Sequence, residues 1–299
     1  MASLDLKLEG FTGTPGQEAK KSSSIISTLN SKFSHGTPAY KATGTSAFSI
    51  DKVFVILRDL LQPDTTLSLE SAAESVLALL PEKAPLSTEI WSFGEVCFEL
   101  SEQIPYHHPS QLKLARLLEY IGRSTKVNDK MTSKGKADVY NRYQRLGESK
   151  RDWYNGPEPE RPDAWVNYNA FLANLQECRV WNTDPTYAIW TLRDALETNQ
   201  DEDAIRDCNV LAAAQWILWN GQSLFKQILF SGDVSSDDLR TWNSGPLYDG
   251  KGMLSLHRWH FWRERFRAVS IEDGVSDECK SVAGRAADLM VSIESNLTF

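Results

Sequence analysis

From Ile50 onward, apolar residues recur every three or four positions. SIDKVFVILRDLL, SLESAAESVLALL, STEIWSFGEVCFELSEQ and PSQLKLARLLEYI each hold this spacing long enough to favour helices over strands. The breaks between them carry Pro63, Pro81, Pro85, Pro105 and Pro109, residues that suit helix starts and the positions just past helix ends. Ser68 and Ser87 stand where N-caps belong, since a short side-chain oxygen can accept from the free N–H groups of a first turn. In the second half, Asp163 opens a helix to Val180, and Asp184-Pro185 starts the next. Asp203 begins a long helix to about Phe230, and Ser235/Ser236 cap a short one ending near Trp242. SGPLYDGKG reads as a loop, followed by helices over Leu254–Ile271 and Ser276–Leu297. No segment alternates with period two, so no sheet is expected. The pattern predicts an all-α domain over 47–299. It is an irregular bundle or solenoid-like array of about nine to eleven helices, paired as α–α hairpins around the 203–230 helix.

Two regions break this pattern. Residues 1–46 are rich in Ser, Thr and Gly with no sustained period, which predicts a disordered tail with a short helix around Ser22–Phe33. Residues 123–151 are polar, with nine Lys and Arg against three acids. A basic loop section to about residue 162, with a short helix near Ala137–Leu146, fits them.

Placing residues at 100° per step separates ordinary helices from unusual ones. In 164–180, Trp165, Tyr168, Phe171, Leu172 and Leu175 share one arc and Asn167, Asn174 and Glu177 lie opposite, as in an amphipathic helix. The 203–230 helix is apolar all round, which predicts burial on every side. Its three consecutive alanines, Ala212 to Ala214, allow close approach of neighbours. Asn209, Gln215 and Asn220 are its only central polar residues, and a buried amide without a partner costs about 1–3 kcal/mol. In LSLHRWHFWRERFRAV, Trp259, Trp262, Phe266 and Val269 form one stripe, and Arg258 and Arg265 fall beside it, at least half buried. A buried guanidinium needs a carboxylate or an anionic ligand, and Asp194, Asp207 or Glu177 on neighbouring helices could supply the carboxylate. His257, His260 and Glu264 face the wet side, so the HxxH pair reads as solvated and no metal is expected.

Composition narrows the classes. The 299 residues carry a net charge of −8 and are 41% hydrophobic, too apolar for a disordered chain and too acidic for a general nucleic-acid binder. Cys97, Cys178, Cys208 and Cys279 lie far apart and read as reduced, buried thiols. MASLDLKLEG lacks an apolar signal core and no stretch reaches the roughly 18 apolar residues of a membrane span, so a cytoplasmic protein is expected. No phosphate-cradling loop, nucleophile elbow, zinc spacing or Asp-rich magnesium motif is present.

The blocks IPYHHPSQLKLARLLEYI, DAWVNYNAFLANL, AIWTLRDALE and RWHFWRERF resemble those of a filamentous-fungal family of helical proteins known as a domain of unknown function. The resemblance covers about residues 50–295. It implies an all-helical fold and a fungal intracellular protein, without an activity. Such families sometimes accompany natural-product pathways, which implies an apolar small molecule as partner.

Two functions follow from the residues. One is a cofactor-independent cyclase, pericyclase or isomerase acting on an apolar natural-product intermediate. Trp216, Trp219, Trp259, Trp262, Tyr168 and Trp190 would wall its pocket, and Arg258, Arg265, Gln215 or Asn209 would polarise a carbonyl. The other is a non-catalytic helical scaffold or small-molecule binder, with aromatics as core and a partner surface in a groove or in the basic section 123–151. Neither needs nucleic acid or a bound cofactor.

Overall fold

The computed structural model describes residues 3–9, 47–82, 84, 87–131, 139–142, 144–180, 185–199, 203–230 and 236–297. Most of the expected tail, residues 10–46, lies outside them, as do Asp184 and Ser235. Among the described residues there are eleven helices. The first five are α1 (Ile50–Leu61), α2 (Leu69–Leu79), α3 (Thr88–Gln103), α4 (Ser110–Ile121) and α5 (Gln144–Trp153). The others are α6 (Pro162–Glu177), α7 (Thr186–Leu196), α8 (Asp203–Leu229), α9 (Ser236–Thr241), α10 (Leu256–Ile271) and α11 (Asp277–Leu297).

The fold is an all-helical array. Its one strand pairing among the described residues is an antiparallel hairpin, β1 (Asn128–Met131) with β2 (Val139–Arg142), Lys130 opposite Tyr140. The absence of any sheet is corrected to this extent. NDKM and VYNR have no apolar alternation to betray them, and the helix expected near Ala137–Leu146 starts only at Gln144.

The caps fall where short polar residues precede the apolar runs. Ser49, Ser68, Ser87 and Ser255 accept from the backbone N–H groups of Lys52, Ser71, Ile90 and Arg258. α6 instead begins with Pro162 at its first turn, where a missing N–H costs nothing.

The buried apolar side chains form one continuous cluster. At its centre α6 and α8 run in step. Cys208 Sγ donates to the Pro162 carbonyl, Trp216 Nε1 to Asn169 Oδ1, and Asn220 Nδ2 to Glu177 Oε2. Ala170 and Ala173 on α6 and Ala212, Ala213 and Ala214 on α8 are fully buried. α3 and α4 pack on the far side of α6, and α7, α10 and α11 complete the second half of the molecule.

α6 departs from the amphipathic reading. Asn167, Asn169 and Asn174 are all buried. Their amide N–H groups donate to the carbonyls of Glu102, Trp165 and Ala170, two of these four residues back in α6 itself. This removes the usual cost of burying an amide.

Residues 3–9, expected to belong to the tail, pack against the helices. They run extended along α1 and α3, with Leu6 and Leu8 buried.

Candidate functional site

α7 ends at Leu196, and the next residue, Glu197, is its C-cap. Glu197 is completely buried, and so is Arg258 in the first turn of α10. The two form a bidentate pair: Arg258 Nε donates to Glu197 Oε1 at 2.6 Å and Nη2 to Oε2 at 3.0 Å. Arg258 also donates to the carbonyls of Trp242 and Asn243, at 2.8 and 3.2 Å. The carboxylate accepts from Trp262 Nε1 at 2.7 Å and from the Gly245 backbone N–H at 2.7 Å. The guanidinium carbon lies 5.6 Å from the Tyr248 ring centre and 5.2 Å from that of Trp262. Four hydrogen bonds thus engage each charged group, the condition under which a buried ion pair is tolerated.

This pair ties the loop after α9 to α7 and α10. Leu247 N–H donates to the Glu197 carbonyl, and Arg193 Nη1 donates to Asn243 Oδ1. A side chain at Gly245 would lie 2.6 Å from the Glu197 carbonyl oxygen, so only glycine allows this approach. On the outer side of the loop is an open cavity of about 480 Å³ lined by Leu239, Asn243, Ser244, Lys251, Gly252 and Met253.

The acid that meets Arg258 is none of those expected. Asp194 is half exposed and accepts from its neighbour Arg193. Asp207 accepts from the Ser276 N–H, and Glu177 from Asn220 and Ser223. Glu197 lies past the last turn of α7, where helix-face reasoning no longer applies. Arg265 is partly buried and donates to the Leu196 carbonyl, a free acceptor at the helix end where a cation is favoured.

The residues assigned to an aromatic pocket divide between separate places. Trp216 and Tyr168 belong to the α6–α8 interior: Trp216 bonds Asn169, and the Tyr168 hydroxyl donates to the Lys150 carbonyl. Asn169 Oδ1 also accepts from Thr191, whose hydroxyl is 2.9 Å from that of Tyr154. Tyr154 in turn packs against Trp165, Tyr187 and Trp190. Trp190 is partly exposed and donates to the Thr241 carbonyl. Trp259 packs on Phe225, Trp262 belongs to the Glu197 site, and Trp219 is exposed. Gln215 donates to the Leu211 carbonyl one turn back, and Asn209 is buried in α8.

A model of the family described as a protein of unknown function (DUF3632) matches residues 95–266, more than half of the chain. The chain belongs to the DUF3632 family. All four blocks that carry the resemblance lie inside the matched region. So do Glu197 and Arg258, which makes the buried pair part of the DUF3632 core of this chain. No curated protein and no solved structure matches the chain.

Other chemistry-bearing groups are internally engaged. His257 Nδ1 lies 2.9 Å from the Tyr248 hydroxyl, and His260 Nε2 lies 2.7 Å from Glu294 Oε1, so the two histidines serve different partners. Among the described residues no group of three or more His, Cys, Asp or Glu could hold a metal ion. All four cysteines are free and buried. Burial raises the Cys178 thiol to about 11 and those of Cys208 and Cys279 to about 12, which leaves them poor nucleophiles. In the basic section, Arg123 pairs with Glu119, Lys126 with Glu82 and Arg145 with Glu148, while Lys150 caps the Tyr187 ring. No helix among the described residues is long and apolar enough to cross a membrane.

Proposed function

We propose that this chain is a non-catalytic helical scaffold that presents surfaces to a partner. The observation that carries the reading is the Glu197–Arg258 pair. The most deeply buried guanidinium among the described residues makes four hydrogen bonds, to a carboxylate and two loop carbonyls, and does not line the open cavity beside Asn243. Trp262, the nearest assigned wall, donates to the same carboxylate. Such a cluster fixes a loop between two helices, which is what a scaffold asks of it.

The cofactor-free cyclase or pericyclase reading draws its support from the buried aromatic cluster and from the cavity beside Asn243. That chemistry needs donors and aromatic walls around one enclosed space. The cavity beside Asn243 is open, and none of the assigned tryptophans lines it. A small apolar ligand at Leu239 and Met253 would still be compatible with a scaffold.

Arg258→Met separates the readings. On the scaffold reading the variant melts well below the wild type, because Glu197 is left charged and buried, at a cost of about 3–5 kcal/mol. Native mass spectrometry of the wild type then finds no apolar ligand lost on substitution. A variant that keeps its melting temperature but loses a co-purifying small molecule would favour the enzyme reading.

A further inference from the structure

Residues 3–9 are held along α1 and α3 in a way that reads their main chain. Gln62, at the end of α1, accepts from the Leu4 N–H at 3.0 Å and donates to the Leu4 carbonyl at 3.1 Å. Gln103, at the end of α3, does the same to Lys7, at 2.8 Å in both directions. Glu99 accepts from the Glu9 N–H at 2.6 Å. Each glutamine amide is also braced on its own helix, donating to the carbonyl four residues back, Arg58 or Glu99. Each amide is thus anchored on its own helix as well as on the strap, which lowers the ordering cost of holding a segment there.

The side chains obey the period of an extended strand. Leu6 and Leu8 are buried and Leu4 is half buried, while Asp5 and Lys7 point out and pair with each other in solvent. An amide that offers one donor and one acceptor to a peptide unit mimics a neighbouring strand, and alternate apolar side chains supply the selectivity. The groove thus reads an extended backbone and leucine-like residues at every second position; of the residues between, Asp5 and Lys7 are left to solvent, while the Ser3 hydroxyl donates to Gln62 Oε1 at 2.9 Å. Its α3 wall, Glu99 and Gln103, lies within the family region 95–266, whereas its occupant lies far outside it.

We propose that the α1–α3 groove is a binding site for an extended peptide with apolar residues at alternate positions, filled at rest by the chain's own residues 3–9. A partner segment of that pattern takes the place of the resident strap. The inference rests on the scaffold reading and names its ligand class.

The test uses the full chain and a fluorescein-labelled peptide ASLDLKLEG, followed by fluorescence anisotropy. Leu6→Asp together with Leu8→Asp disables the strap without touching the groove. This variant is expected to bind the peptide at least about ten-fold more tightly than the wild type, where the strap competes. Adding Gln103→Leu is expected to weaken that binding by about ten-fold. A peptide with Asp and Lys exchanged is expected to bind equally well, and one with Asp at both buried leucines not at all. If the double variant does not fold, Lys7→Pro removes the N–H that Gln103 accepts while altering only an exposed side chain. The proposal is overturned if a folded strap variant ignores the peptide, if Gln103→Leu changes nothing, or if Lys7→Pro also abolishes the fold. It is equally overturned if the wild type is a dimer that strap variants dissolve, for then the occupant is a second copy's strap. Any of these, with Arg258→Met still behaving as a core lesion, leaves the scaffold reading standing.

Discussion

Four donors converge on the Glu197 carboxylate: two from Arg258, one from Trp262 and one from the Gly245 main chain. The helix faces of the sequence place Arg258 correctly as a buried cation beside the Trp259–Trp262 stripe, and it is wholly buried. They do not yield its partner, because a cap residue obeys no period and any of several acids could serve. The loop's part is equally hidden: carbonyls of Trp242 and Asn243 act as ligands to the guanidinium, and a carbonyl is present at every residue. Gly245 offers a check at this scale. A methyl group there meets the Glu197 main chain, which cannot retreat without moving α7. Gly245→Ala is expected to destabilise the chain by about 1–3 kcal/mol in urea unfolding. A neutral substitution would mean that the loop is not seated on Glu197.

Among the elements, the long helix α8 is legible because its apolar residues cover the whole circumference, and Asn209, Gln215 and Asn220 are all buried as that pattern requires. α6 escapes helix-face reasoning for a physical reason. An asparagine that bonds a carbonyl of its own helix, as Asn169 and Asn174 do, is masked as a polar group yet still looks polar in a sequence. Ser68 and Ser87 are readable as caps since capping depends only on neighbours. α3 carries a titration signature. Burial, the largest cause, raises the carboxyls of Glu95, Glu99 and Glu102 above the ordinary glutamate range. A carboxyl with a raised folded value holds its proton in the folded state when the unfolded chain has released it. Its contribution to stability therefore falls as pH rises from about 4.3 through the raised value. Glu95→Gln is expected to raise the melting temperature at pH 7 and to matter less at pH 4. An equal shift at both pH values would show that Glu95 is not desolvated.

At the scale of the molecule, the region matched by the family model ends at Phe266, before α11 begins. Yet α11 buries Cys279, Val282, Ala283, Ala286, Ala287, Met290 and Ile293. Ile293 lies against Gly221 of α8, and Glu294 accepts from Arg263. Covering those side chains is worth on the order of 10 kcal/mol, comparable to the net stability of a whole domain. A chain cut after Gly274 is expected to lose its cooperative thermal transition in circular dichroism. A sharp melt for the truncated chain would mean that α11 is an accessory. The all-helical architecture is visible in the spacing of apolar residues; the docking of residues 3–9 is not. LDLKL is short, and its alternation gains meaning only against the glutamines of two distant helices.

On the scaffold reading, Glu197 and Arg258 serve to hold this fold together. A double-mutant cycle between Glu197→Gln and Arg258→Met, read by urea unfolding, measures that role. Each single substitution is expected to be costly, and the double variant to recover about 2 kcal/mol or more of their summed effect. Losses that add to within about 0.5 kcal/mol, with each single variant close to wild-type stability, would contradict that role.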